Sequence, residues 1–118
     1  MHITERFEPL IRSLEHKSKS GGGGLPWRET KDGEVFIVPL GDHKVGLAKR
    51  GGRYYIALLS GSTNSLIEEV SDEELDGDDG YEYYDRLSNL YDLVRSIVSG
   101  SQDALKDILA ALGKEDAG

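Results

Sequence analysis

HKVGLAKRGGRYYIALLS, residues 43–60, decides the fold. Two β-rich runs of equal length flank Gly51-Gly52, and Gly-Gly is a strong two-residue hairpin signal because primed turns need positive φ. In the first run Val45 and Leu47 alternate with Lys44, Gly46 and Ala48, as in a half-buried strand. In the second, Tyr54, Ile56 and Leu58 oppose Tyr55, Ala57 and Leu59. Both faces are apolar, which predicts a central strand covered on both sides.

Turn signals recur outward from this hairpin at short, even intervals: Gly41-Asp42 and Asp32-Gly33 before it, Gly61-Ser62-Thr63-Asn64 after it. Between them WRET (27–30), EVFIVPL (34–40) and SLIEEVS (65–71) supply three more strands. Pro39 cannot donate to a ladder, so it belongs at an edge or bulge. The result is five antiparallel strands in simple meander order.

Helical periodicity brackets the strands. Ile3, Phe7, Leu10, Ile11 and Leu14 share one face of a 3.6-residue period, with Thr4 as a candidate N-cap and Pro9 as a kink or a new start. At the other end Tyr84, Leu87, Leu90, Tyr91, Val94, Ile97 and Val98 form one stripe and Leu105, Ile108, Leu109 and Leu112 a second. Gly100 suits a left-handed C′ position and Ser101 the next N-cap, which predicts a helical hairpin lying on the sheet. The fold class expected is therefore α+β: an N-terminal helix, a five-stranded antiparallel β-meander and a C-terminal helical hairpin packed on the sheet. The boundaries expected are 1–17 for the first helix, 18–24 for a linker, 25–113 for one α+β domain and 114–118 for a disordered tail.

KSKSGGGGLPW (17–27) supplies that linker. A Walker loop requires Lys-Ser/Thr after its glycines, and here Leu25-Pro26-Trp27 follows. A dinucleotide fingerprint runs from strand into helix, and here the order is reversed. Glycine and serine instead suit a flexible connector.

Charge is split along the chain. Residues 1–60 hold ten basic and seven acidic side chains and residues 61–118 hold four and fifteen, within a net charge of −8 over 118 residues. The acidic half disfavours nucleic acid, which needs Lys and Arg on its phosphates. A basic protein surface, or a second copy of the chain, suits it better. The chain contains no cysteine. That removes disulfides, thiolate catalysis and Cys-based zinc sites, and it fits a cytoplasmic location. No apolar run reaches the roughly 20 residues of a membrane span, and MHITERFEPLIRSLEHK has no apolar core of a signal peptide.

Three candidate chemical sites follow. SDEELDGDDGYEYYD (71–85) has the acid density of a calcium loop. Anchoring on Gly77 puts Tyr83 where an EF-hand needs glutamate, and anchoring on Gly80 puts Leu75 at the first ligand position. A weak divalent site from Asp76, Asp78, Asp79 and Glu82 remains as an alternative to a solvated loop within 72–82. His2, His16 and His43 have no zinc-site spacing, so no metal or cofactor is expected. The hairpin places His43, Lys44, Lys49, Arg50 and Arg53 beside Tyr55, a basic-aromatic set able to hold a phosphorylated ligand or nucleotide. No triad elbow or facing carboxylate pair emerges, so an enzyme is not expected. The leading expectation is a non-catalytic interaction or regulatory module. It docks a protein partner, or itself as a homodimer, through Ile3, Phe7, Leu10, Ile11 and Leu14 or through the acidic C-terminal half.

Overall fold

The computed structural model describes residues 3–19, 25–30, 34–78 and 80–117, with backbone alone at 101–103 and 114–117. It has the α+β architecture the periodicities imply. Helix α1 (Ile3–Lys19) leads into strands β1 (Arg28–Glu29), β2 (Val35–Leu40), β3 (His43–Arg50), β4 (Arg53–Ser60) and β5 (Leu66–Ser71), then helices α2 (Asp72–Asp76) and α3 (Glu82–Ala117). The strands form one antiparallel sheet in the order β1-β2-β3-β4-β5.

Turn chemistry sets the register. Gly51 and Gly52 both have positive φ, as a type I′ turn requires, and Arg50 pairs with Arg53 across them. Gly41 has positive φ ahead of Asp42, and Leu40 pairs with His43. The turn signal at Asp32-Gly33 lies outside the described residues. Between Leu58 and Leu59 the β4–β5 ladder shifts register. Pro39 sits inside β2 beside Lys44, exposed.

One face of the sheet carries the core. Phe36, Val38, Val45, Leu47, Tyr54, Ile56 and Val70 meet Phe7, Ile11 and Leu14 of α1 and Leu87, Leu90, Tyr91, Val94 and Val98 of α3. Tyr91 packs edge-on against both Phe36 and Tyr54. The other face holds Ile37, Tyr55, Ala57 and Leu59, half-buried. So β4 is covered by helices on one side only, and its second face gains shelter from neighbouring strands rather than from another layer.

Helix α1 runs unbroken through Pro9. The ring is exposed, so the carbonyl of Glu5 that loses its intrahelical donor faces water. Thr4 lies inside the helix, and its hydroxyl donates to the Leu75 carbonyl at 2.7 Å. The helix also reaches past the expected end at residue 17. Ser18 is buried and accepts from the Trp27 indole at 3.0 Å, while residues 20–24 of the glycine connector lie outside the described residues.

The C-terminal segment packs on the sheet as one helix of 36 residues rather than folding back at Gly100. Gly100 is absent from the left-handed positions, so no C′ turn forms. A returning arm would also need a free surface, and α1 together with the first half of α3 already covers the sheet's core face. The expected tail at 114–118 is helical backbone as far as Ala117. At about 1.5 Å per residue α3 spans about 54 Å, twice the length of the eight-residue strands. It dominates a molecule of 63 × 31 × 27 Å. No described helix is long and apolar enough to cross a membrane.

Candidate interaction surface

The apolar face of α1 is turned inward. Phe7, Ile11 and Leu14 are buried in the chain's own core, with Ile3 and Leu10 packed at its margin. Polar contacts fix this docking. Arg86 of α3 bonds both carboxylate oxygens of Glu15, and its Nη1 donates to Glu8 at 2.7 Å. The Tyr83 hydroxyl donates to the same Glu8 oxygen at 3.0 Å. Burial works against the Glu8 carboxylate, yet hydrogen bonds from Arg86, Arg12 and Tyr83 outweigh it and hold the carboxyl below its ordinary range. For Tyr83, burial and then the bond to Glu8 both push the phenol upward. The five residues expected to meet a partner thus serve cohesion within the chain.

The basic hairpin divides. His43 and Lys44 stand at one end of β3; Lys49, Arg50, Arg53 and Tyr55 cluster at the other. Lys44 donates to the Asn64 amide oxygen at 2.7 Å. Arg50 pairs with Glu69 at 2.6 Å and lies 4.2 Å above the Tyr55 ring. Arg53 bonds Asp72, whose other oxygen takes the Tyr54 backbone amide at 2.8 Å. The hydrogen bond to Asp72 and the charge of Glu73 raise the Arg53 guanidinium further. At the turn end of the hairpin, Arg50 and Arg53 are thus taken up by carboxylates, whereas Lys49 stands over the Tyr54 ring. Lys49 and Arg95 line a cleft of about 330 Å³ with Glu34, Gly51, Gly52 and Tyr91.

The acidic stretch 71–85 is built around helix capping. Ser71 caps α2 and Glu74 returns the bond to the Ser71 amide, a complete capping box. Leu75 is buried. The Asp76 carboxylate accepts the Tyr83 and Tyr84 amides at 2.7 and 3.0 Å, satisfying the first turn of α3. Asp79 lies outside the described residues. No group of three or more potential metal ligands converges among the described ones.

No family model, curated protein or solved structure matches the chain. The site must be read from its own geometry.

The far half of α3 stands apart. Every residue from 104 to 113 is exposed, and Leu105, Ile108, Leu109 and Leu112 keep 56%, 56%, 57% and 51% of their surface in water. They repeat the buried face of the same helix. Leu87 and Leu105, Leu90 and Ile108, Tyr91 and Leu109, Val94 and Leu112 are each eighteen residues apart in the sequence, which is five full helical turns. The first set meets the sheet; the second begins where the sheet has ended. Sequence reasoning registered this second stripe as core, because an apolar period by itself does not say whether a surface waits opposite it. Lengths give a signal: two faces spanning 87–112 outrun any eight-residue strand.

Proposed function

We propose that the chain is a small acidic, non-catalytic protein-interaction module that docks its partner through the C-terminal half, with the far half of α3 as the docking element. One observation carries this reading: four large apolar side chains occupy a single face of a helix that has left its own core. An exposed contiguous apolar stripe marks an interaction site in a protein of this size. Helix-in-groove and helix-on-helix recognition both use such i, i+3, i+4, i+7 anchors. The packing of α1 against its own sheet moves the expected docking face from the N-terminus to the C-terminus. A reducing cytoplasm suits a chain without cysteine. The test is affinity capture with the full chain and with Ile108→Asp/Leu112→Asp. Partners held by the wild type are lost by the variant. Identical capture by both would remove the stripe from the function.

A second reading rests on Lys49 and Arg95, which face one cleft without a carboxylate pair among the described residues. Such a cleft supports binding of a small phosphorylated anion. Pyrophosphate should then raise the melting temperature of the wild type and not of Lys49→Ala/Arg95→Ala. Equal curves with and without pyrophosphate would dismiss it.

A further inference from the structure

Resting on the reading of α3 as the docking element, we propose that its occupant is a second copy of this chain, paired through antiparallel α3 extensions. The spacing of the stripe is its own reverse: three, one and three residues separate Leu105, Ile108, Leu109 and Leu112. An antiparallel copy therefore sets Leu105 opposite Leu112 and Ile108 opposite Leu109 on both sides of a two-fold axis. Isologous pairing of this kind is the commonest route to a closed dimer.

The length of free helix fits the same register. Aligning Ile108 with Leu109 carries Ala117 of one copy to the level of Gly100 of the other. Val98, two residues before Gly100, is the last buried residue of α3 among the described side chains. The partner helix thus covers the overhang from Gly100 to Ala117. Because the exposed stripe prolongs the face docked on the sheet, the partner occupies the place the sheet would have taken. The two domains end up at opposite ends of the pair, clear of each other.

Charge favours the same arrangement. In a chain of net −8, Lys106 and Asp107 are the only charged residues between 104 and 113. Both lie away from the apolar face. The seam of a self-paired helix is therefore uncharged between 104 and 113, so two copies of this acidic chain can meet there without like charges facing each other. An extension interrupted by Gly100 and Gly113 has weak helix propensity, so a packed neighbour is what sustains it.

Sedimentation equilibrium of the full chain from low to high micromolar concentration tests the pairing. Dimer is expected for the wild type. Ile108→Asp/Leu112→Asp should weaken dimerisation about a hundredfold or more, with an unchanged near-ultraviolet signal from Trp27 and the tyrosines showing that the domain is still folded. Cysteine placement then reads the register, since the chain has no cysteine of its own. Ile108→Cys sits beside the axis and should oxidise readily to a disulfide-linked dimer. Leu112→Cys lies seven residues, about 10 Å, from alignment with its copy and should not. Equal cross-linking at both positions would indicate a parallel pair and overturn the proposal, as would a wild type that stays monomeric. If the monomeric wild type still captures proteins that the aspartate variant loses, the docking stripe stands and only the second copy falls. A dimer that survives the aspartate variant would sink both.

Discussion

Arg86 of α3 grips Glu15 of α1 with two hydrogen bonds, Nη2 to Oε1 at 2.6 Å and Nε to Oε2 at 3.2 Å. Its remaining amino group reaches Glu8, one helical face along from Glu15. One guanidinium therefore clamps two carboxylates and joins the first helix of the chain to the last. The hydrogen bond with Glu15 raises its already high pKa against the opposing effect of burial.

Replacing Arg86 with methionine should destabilise the fold by about 1–3 kcal/mol, because the Glu15 carboxylate loses both of its Arg86 hydrogen bonds and Glu8 is left with Arg12 and Tyr83 alone. Urea unfolding provides the measurement. Arg6→Met is the control: its pair with Glu68 is more exposed and should cost clearly less. Equal effects would mean that α1 is not held by the clamp.

Acid should loosen the same joint. Glu8 has a folded pKa below its unfolded one, so its contribution is complete above the ordinary carboxylate range, about 4.3. It is lost as the pH falls through the depressed folded value. Melting temperature should fall more steeply with acidification in the wild type than in Glu8→Gln. Parallel curves would contradict the assignment.

Asp72 is fully buried and holds both Arg53 and the Tyr54 amide. Asp72→Ala leaves that amide unsatisfied between β4 and α2 and should cost about 1–3 kcal/mol. Arg53→Ala should cost less, since the guanidinium is partly in water. Reversal of this order in chemical denaturation would refute the anchoring role of Asp72.

Two glycines should respond in opposite directions. A methyl group at Gly61 would collide with the Asp42 carbonyl, to which the Gly61 amide donates at 3.0 Å. Gly61→Ala should therefore lower stability by about 1–3 kcal/mol. Gly100 meets open space and has no left-handed backbone. Gly100→Ala should favour helix by about 0.5–1 kcal/mol and raise the far-ultraviolet helical signal. A loss of helix would instead point to a turn at that position.

Where sequence and structure agree, local chemistry decides. Gly51-Gly52 closes a hairpin because few other residues accept two positive φ angles, and strand alternation then follows the pleat. The capping box of α2 was equally local: Ser71 and Glu74 stand at the S-x-x-E spacing, a signal hidden by the acid density around it. The course of α3 was not local. Gly100 and Ser101 would suit a turn, yet a turn also needs a surface for the returning arm, and only the assembled sheet tells that its core face is already taken. The docking of α1 was illegible for a related reason. Nothing near Glu8 or Glu15 in the sequence announces a cation some seventy residues away.

That separation has a consequence during synthesis. Helix α1 leaves the ribosome well before its fastenings, since the side chains and carbonyls that hold it come from Glu68, Leu75, Tyr83 and Arg86. A single helix with a proline inside it is marginal alone in water. At roughly 5–20 residues per second, Phe7, Ile11 and Leu14 wait several seconds before their cover is translated. The nascent chain is thus most adhesive until the first half of α3 emerges, and Tyr83 to Val98 are the residues that seal it.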